Sequence, residues 1–154
     1  MAHIPIEAVP HLEAAIYLPM LLIVLQKDHA QIETGQFKLK RPYIHLIDEA
    51  IKYAEGDLKK TKVYLKSHQL RVIQGKRDEM FTEYQFHFNQ LMEVRRYSNI
   101  RLRNHVEDLL KLYLNKASTI SSDSDTDPVP GYRPDPGFEF SSDTRLDLIP
   151  DSDI

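Results

Sequence analysis

Three histidines each stand about one helical turn from a carboxylate: His29 with Glu33, His45 with Asp48 and Glu49, and His105 with Asp108. Imidazole nitrogen and carboxylate oxygen suit iron, manganese or zinc, and such pairs turned inward on a helical bundle can hold one or two ions. Their phase argues against that use. His45 is two residues from Ile47, about 200° around the helix from the apolar stripe, and His29 lies about 120° off its own stripe. The Glu-x-x-His order of di-iron bundles does not occur in duplicate. We read surface helical pairs worth a few tenths of a kcal/mol each, assign no metal ligand or cofactor, and keep a His/carboxylate metal bundle only as an alternative.

A second constellation is basic. Arg95, Arg96, Arg101 and Arg103 fall around Tyr97, at the expected start of a third helix, and Arg71, Lys76 and Arg77 fall in an expected hairpin. Cations at a helix start and a hairpin tip can grip phosphates with salt-dependent affinity. The body is only mildly basic, however, with 18 Lys and Arg against 14 Asp and Glu in residues 1–117. No helix-turn-helix spacing is present, so nucleic-acid binding stands as the alternative and pairing with acidic groups of this chain or a protein partner as the main reading. Signatures of catalysis are missing: no Gly-rich phosphate loop, no G-x-S-x-G elbow, no H-E-x-x-H helix and no Cys. We assign no catalytic residue and favour a non-enzymatic protein.

The elements that must carry these residues follow from periodicity. Leu12, Ile16, Met20 and Ile23 form one stripe of a helix over 11–34, stopped by Thr34-Gly35. Pro19 inside it predicts a kink or a break into two helices. Leu18, Leu21, Leu22, Val24 and Leu25 make the segment apolar nearly all round, as expected of the most buried element. Its most apolar run, Ala14 to Leu25, has twelve residues, short of the roughly 20 that span a bilayer. Residues 1–13 lack the Lys or Arg of a signal peptide, so we expect a core helix, no membrane span and a cytoplasmic protein.

Pro42 opens a second helix to about Ser67, with Tyr43, Ile47, Ala50, Ile51, Ala54, Leu58 and Leu65 on its apolar stripe and Gly56 marking a bend or close contact. Leu70-Arg-Val-Ile73 and Tyr84-Gln-Phe-His-Phe88 predict a β-hairpin within 69–89 around the turn Gly75-Lys-Arg-Asp-Glu79, its Tyr84, Phe86 and Phe88 face packed on the helices or on a second subunit. Ser98 caps a third helix with Leu102, Val106, Leu109, Leu110 and Tyr113 inward, ending near Lys116. The expected fold is mainly α: a bundle of three to four helices with one β-hairpin in residues 1–117.

Residues 118–154 hold 2 Lys and Arg against 9 Asp and Glu and are rich in Ser, Asp and Pro, a composition that predicts a disordered acidic tail. Two apolar islands interrupt it. Tyr132, Phe138 and Phe140 mark one and Leu146, Leu148 and Ile149 the other, and both resemble docking peptides in composition.

Finally, Ala15-Ile-Tyr-Leu-Pro-Met20, Phe37-Lys-Leu-Lys-Arg-Pro-Tyr43, Arg96-Tyr97 and Val106-Glu-Asp-Leu-Leu110 resemble the YhjD-like small proteins of Bacillus-type bacteria, over residues 10–115. The resemblance implies a bacterial cytoplasmic protein and carries no site residues with it. The expectation is an interaction or regulatory module: a homodimer joined through the hairpin or helix one, with a tail that docks a partner or folds back on the arginines.

Overall fold

The computed structural model describes residues 3–123. A short 3-10 turn, Ile6–Ala8, leads into helix α1, Val9–Thr34. Pro10 lies in the first turn, where its missing N–H costs nothing. Pro19 removes one interior hydrogen bond, at about 3 kcal/mol, yet α1 is a single helix. Burial offsets the loss: Leu12, Leu21 and Leu25 have no exposed surface, and a fully buried leucine contributes about 1.5–3 kcal/mol. α1 ends at Thr34 as expected, where Thr34 Oγ1 donates to Ala30 O at 2.9 Å and Lys40 Nζ donates to Glu33 O at 2.9 Å. Gly35 follows because a β-carbon there would sit 2.7 Å from Gln31 O.

Helix α2, Arg41–Ser67, buries Ile47, Ala50, Ala54, Thr61 and Leu65, a period of three and four that turns one face to α1. The small Ala50 and Ala54 side chains let the two backbones approach. Tyr43, expected on the apolar stripe, is exposed, and Gly56 faces open space, so of its two expected roles the close helix contact is not realised.

The sheet is larger than the expected hairpin. Strands β1 (Leu70–Arg77), β2 (Phe81–Phe88) and β3 (Leu91–Ser98) form an antiparallel sheet in that order. A two-residue turn, with Asn89 at φ 55, joins β2 to β3; Asn tolerates this left-handed backbone better than most residues. Register puts Leu70, Val72, Tyr84, Phe86, Phe88, Leu91 and Tyr97 on one face, and the fully buried Phe86 lies at its centre, packed with the helices. Arg95 and Arg96 therefore stand in a strand, not at a helix start. Charged residues at 93, 95 and 96 hide the alternation from the sequence. Arg95 nonetheless shares the helix-facing side, because its guanidinium lies 5.2 Å over the Phe86 ring and 3.4 Å from Glu93.

Helix α3, Asn99–Asp123, starts at once. Ser98 Oγ accepts from Arg101 N at 3.1 Å, the expected cap. Asn99 pins the helix start to the sheet: its Oδ1 accepts from Thr82 Oγ1 at 2.6 Å and its Nδ2 donates to Asp78 O at 2.9 Å. α3 passes the expected end at Lys116 and the boundary at 117, since buried Ala117 extends the stripe of Leu102, Val106 and Tyr113 by one turn. The result is a mainly helical domain of three joined helices with a small sheet on one side and one continuous core.

Candidate functional site: an apolar groove between two arginines

Because α1 is apolar nearly all round, its neighbours cannot cover every face. Leu18, Leu21 and Leu25 are buried, Leu18 and Leu25 beside residues of α2 and α3, while Met20 and Val24 stay half-buried and Ile23 is 53% exposed. Ile23 thus leaves the stripe it was expected to share. Across from it, Leu102, Val106 and Leu110 project from α3, and Gln74, Thr82 and Tyr84 from the sheet. Together they line an open groove of about 450 Å³, a size that accommodates a small molecule or a few side chains.

Arg77 at the end of β1 and Arg103 on α3 flank the groove, with Glu107 one turn beyond Arg103. Among the described residues, neither arginine has a carboxylate within ion-pair distance. Burial pushes the Tyr84 hydroxyl's pKa up, and the positive charge of Arg77 works against that rise, so Arg77 acts electrostatically on the groove wall. Thr82 is buried and donates to Asn99. Chemically, the arrangement offers an apolar floor to hydrocarbon and two guanidinium forks to carboxylates.

The other basic candidates disperse. Arg95 pairs with Glu93, and Arg96, on the opposite face of the sheet, lies 4.5 Å over the Phe81 ring and 4.0 Å from Glu83. Arg71 and Lys76 are exposed on β1, and Arg101 lies two residues from Arg103, about 200° around α3 and close enough to Tyr17 to lower its pKa against the larger effect of burial. Of the seven candidate cations, only Arg77 and Arg103 meet at this groove. The apolar candidates Tyr132, Phe138, Phe140, Leu146, Leu148 and Ile149 lie outside the described residues, as does most of the expected tail.

The histidine pairs also separate. His29 Nε2 lies 3.1 Å from Asp48 Oδ1 and its Nδ1 3.7 Å from Glu33, a link between α1 and α2 at the surface. His45 is exposed, and His105 packs on Tyr17 with ring centroids 3.9 Å apart and planes tilted by 37°. Among the described residues, no group of three or more His, Asp or Glu is placed to hold a metal ion.

Sequence reasoning missed two partly buried tyrosine–carboxylate ties. Tyr97 Oη donates to Glu13 at 3.1 Å, joining β3 to α1, and Tyr113 Oη donates to Asp57, joining α3 to α2. Burial, followed by the adjacent carboxylate, holds both hydroxyls well above the ordinary tyrosine pKa. No local spacing signals them, because the partners are 84 and 56 residues apart.

Fold and groove define a class: a small helical domain with an open apolar site flanked by cations. The YhjD family profile matches residues 3–118. A curated relative, the uncharacterized protein YhjD of Bacillus subtilis (strain 168), is 39% identical over 103 residues, covering 67% of this chain and 86% of the relative. The chain therefore belongs to the YhjD family. No solved structure matches it. By length and composition, Ile6–Thr34 is a helix that could cross a membrane; in this structure 44% of its most apolar stretch is buried, and the helix contacts α2, α3 and β1.

Proposed function

We propose that this protein is a non-enzymatic interaction module whose groove binds an acidic peptide bearing apolar side chains, and that its own C-terminal segment occupies the groove in cis. The supporting observation is the convergence of Arg77 and Arg103 on an apolar floor that includes exposed Ile23. Phe138-Glu-Phe140 and Leu146-Asp-Leu-Ile149 carry the complementary chemistry. Reach is sufficient: the groove lies about 30 Å back along α3 from Asp123, and residues 124–145 extend to about 70 Å.

Exposed Arg–carboxylate pairs contribute about 0.2–1 kcal/mol each, and partly burying two or three apolar side chains adds a few kcal/mol more. A Kd on the order of 1 mM in trans is the resulting scale. An effective concentration of about the same size makes cis occupancy substantial. A partner with a better acidic-apolar peptide would displace the segment, which is the regulatory element of the reading. A cytoplasmic location goes with it, because α1 then serves as a core helix.

Among the described residues the core runs from Ile4 to Ala117, so a chain ending at Asp123 keeps all of them. Its amide shifts at Met20, Ile23, Leu102 and Val106 should differ from those of the full chain. A peptide of residues 138–154 added in trans should restore them at low salt, and not in the R77A/R103A variant. Unchanged shifts on truncation would refute cis occupancy, and no response to the peptide would refute the groove as its site.

A further inference from the structure

The two edges of the sheet are unlike. β1 carries a register irregularity between Gln74 and Arg77, with Lys76 inside it, and both features discourage strand addition. β3 carries neither. It pairs with β2 through all eight residues without a shift, contains no Gly or Pro, and among the described residues makes no backbone hydrogen bond to another element from its outer edge. An uncovered, regular edge of this length is a template for another strand.

Side chains on β3 also select what that strand should be. Glu93 and Arg95 lie on the helix-facing side, while Met92 (50% exposed), Val94 (51% exposed) and Arg96 lie on the outer side. Suppose two copies of β3 pair antiparallel about a two-fold axis perpendicular to the sheet, so that both sets of helices stay on one face. Paired residues must then lie on the same face, which leaves registers centred on a single residue. Centring on Glu93 opposes the two Glu93 carboxylates, and centring on Arg95 opposes the two guanidiniums; both are unfavourable. Centring on Val94 sets Glu93 opposite Arg95 of the second copy, twice, and Val94 opposite Val94. On the outer face it sets Met92 opposite Arg96 of the second copy, twice, and places each exposed Met92 diagonal to the Val94 of the other copy.

We infer that the protein forms a homodimer through antiparallel pairing of β3 with β3 of a second copy, centred on Val94, giving a continuous six-stranded sheet. The hairpin edge β1 is not the interface. No β3 residue lines the groove of Arg77 and Arg103, so the pairing edge and the groove share no residue, and the inference stands apart from the function proposed above.

Charge exchange on the full chain tests it, with mass measured by sedimentation at protein concentrations up to about 200 µM, enough to reveal a dimer of micromolar Kd. Wild type should be dimeric. E93R places arginine against arginine, and R95E places glutamate against glutamate, so each alone should weaken the dimer on the order of tenfold or more. An equimolar mixture of the two variants should dimerise again. Across the mixed interface the arginine introduced by E93R meets the glutamate introduced by R95E, and the unaltered Arg95 of the first variant meets the unaltered Glu93 of the second. Loss of the Glu93–Arg95 pair within one chain cannot be repaired by mixing, and far-UV circular dichroism checks that each variant is folded. A strictly monomeric wild type would overturn the inference. So would a dimer indifferent to both single variants, or one that mixing folded variants does not restore.

Discussion

Phe86→Ala separates the two faces of the sheet. Phe86 is fully buried at the centre of the middle strand, while Val94, which follows its cross-strand partner Glu93 and so lies on the outer face of β3, is 51% exposed. Truncating a buried phenylalanine costs about 3–5 kcal/mol, from lost transfer energy and the cavity left behind. The Arg95 guanidinium, 5.2 Å over the ring, loses a contact of about 0.5–1 kcal/mol that forms part of the same measured change. A domain of this size has a total stability of roughly 6–18 kcal/mol, so Phe86→Ala should consume a large fraction of it and lower Tm by about 12–20 °C. Val94→Ala, read in dilute monomer, should fall within about 0.5 kcal/mol of wild type. Urea unfolding followed by far-UV circular dichroism gives both values. A cost below about 1.5 kcal/mol for Phe86→Ala, or equal costs for the two, would mean that the assigned faces are wrong, since a one-residue register slip exchanges them.

Other expectations rest on single contacts. Gly56→Ala, in a helix interior with open space at the β-carbon, should stabilise the protein by about 0.5–1 kcal/mol, whereas Gly35→Ala, whose β-carbon would sit 2.7 Å from Gln31 O, should destabilise it by more than about 1 kcal/mol; thermal melts of the two variants should move in opposite directions. Folding raises the pKa of Tyr17, Tyr84, Tyr97 and Tyr113, so their contribution is intact below the ordinary tyrosine pKa of about 10 and is lost as pH rises through the folded values. Absorbance at the tyrosinate band should therefore show a late group of tyrosines that ionises together with loss of secondary structure. Asp78 accepts from the backbone N–H of Met80 at 2.8 Å and Phe81 at 2.7 Å, which lowers its pKa. The turn between β1 and β2 should keep this support above the ordinary aspartate pKa and lose it as pH falls through the depressed one, read as faster amide exchange at Met80 and Phe81; Asp78→Asn should weaken its dependence on acid.

What the sequence disclosed depended on whether a residue's neighbours in space are also its neighbours in the chain. α2 and α3 were legible because their stripes repeat every three to four residues, and the Ser98 cap because it acts within one turn. β3 was not, since Glu93 and Arg95 occupy the helix-facing positions that a simple apolar alternation would fill. α1 could be recognised as central, but a segment apolar on every side carries no phase, so nothing local showed that Ile23 would be left exposed. The groove has the same origin. Arg77 and Arg103 are two of seven candidate cations in the sequence, yet what sets them apart from Arg95 and Arg96 is sheet register and the packing of α3, which no spacing in the chain expresses.

The most direct test of the proposed function uses the absence of cysteine: a single nitroxide at Ser142→Cys labels the C-terminal segment and nothing else. In the full chain at low salt, it should broaden the amides of Met20, Ile23, Arg103 and Val106, and the broadening should fade in high salt and in R77A/R103A. Uniform, weak broadening over the whole domain, unaffected by salt or by those substitutions, would contradict occupation of the groove by this segment.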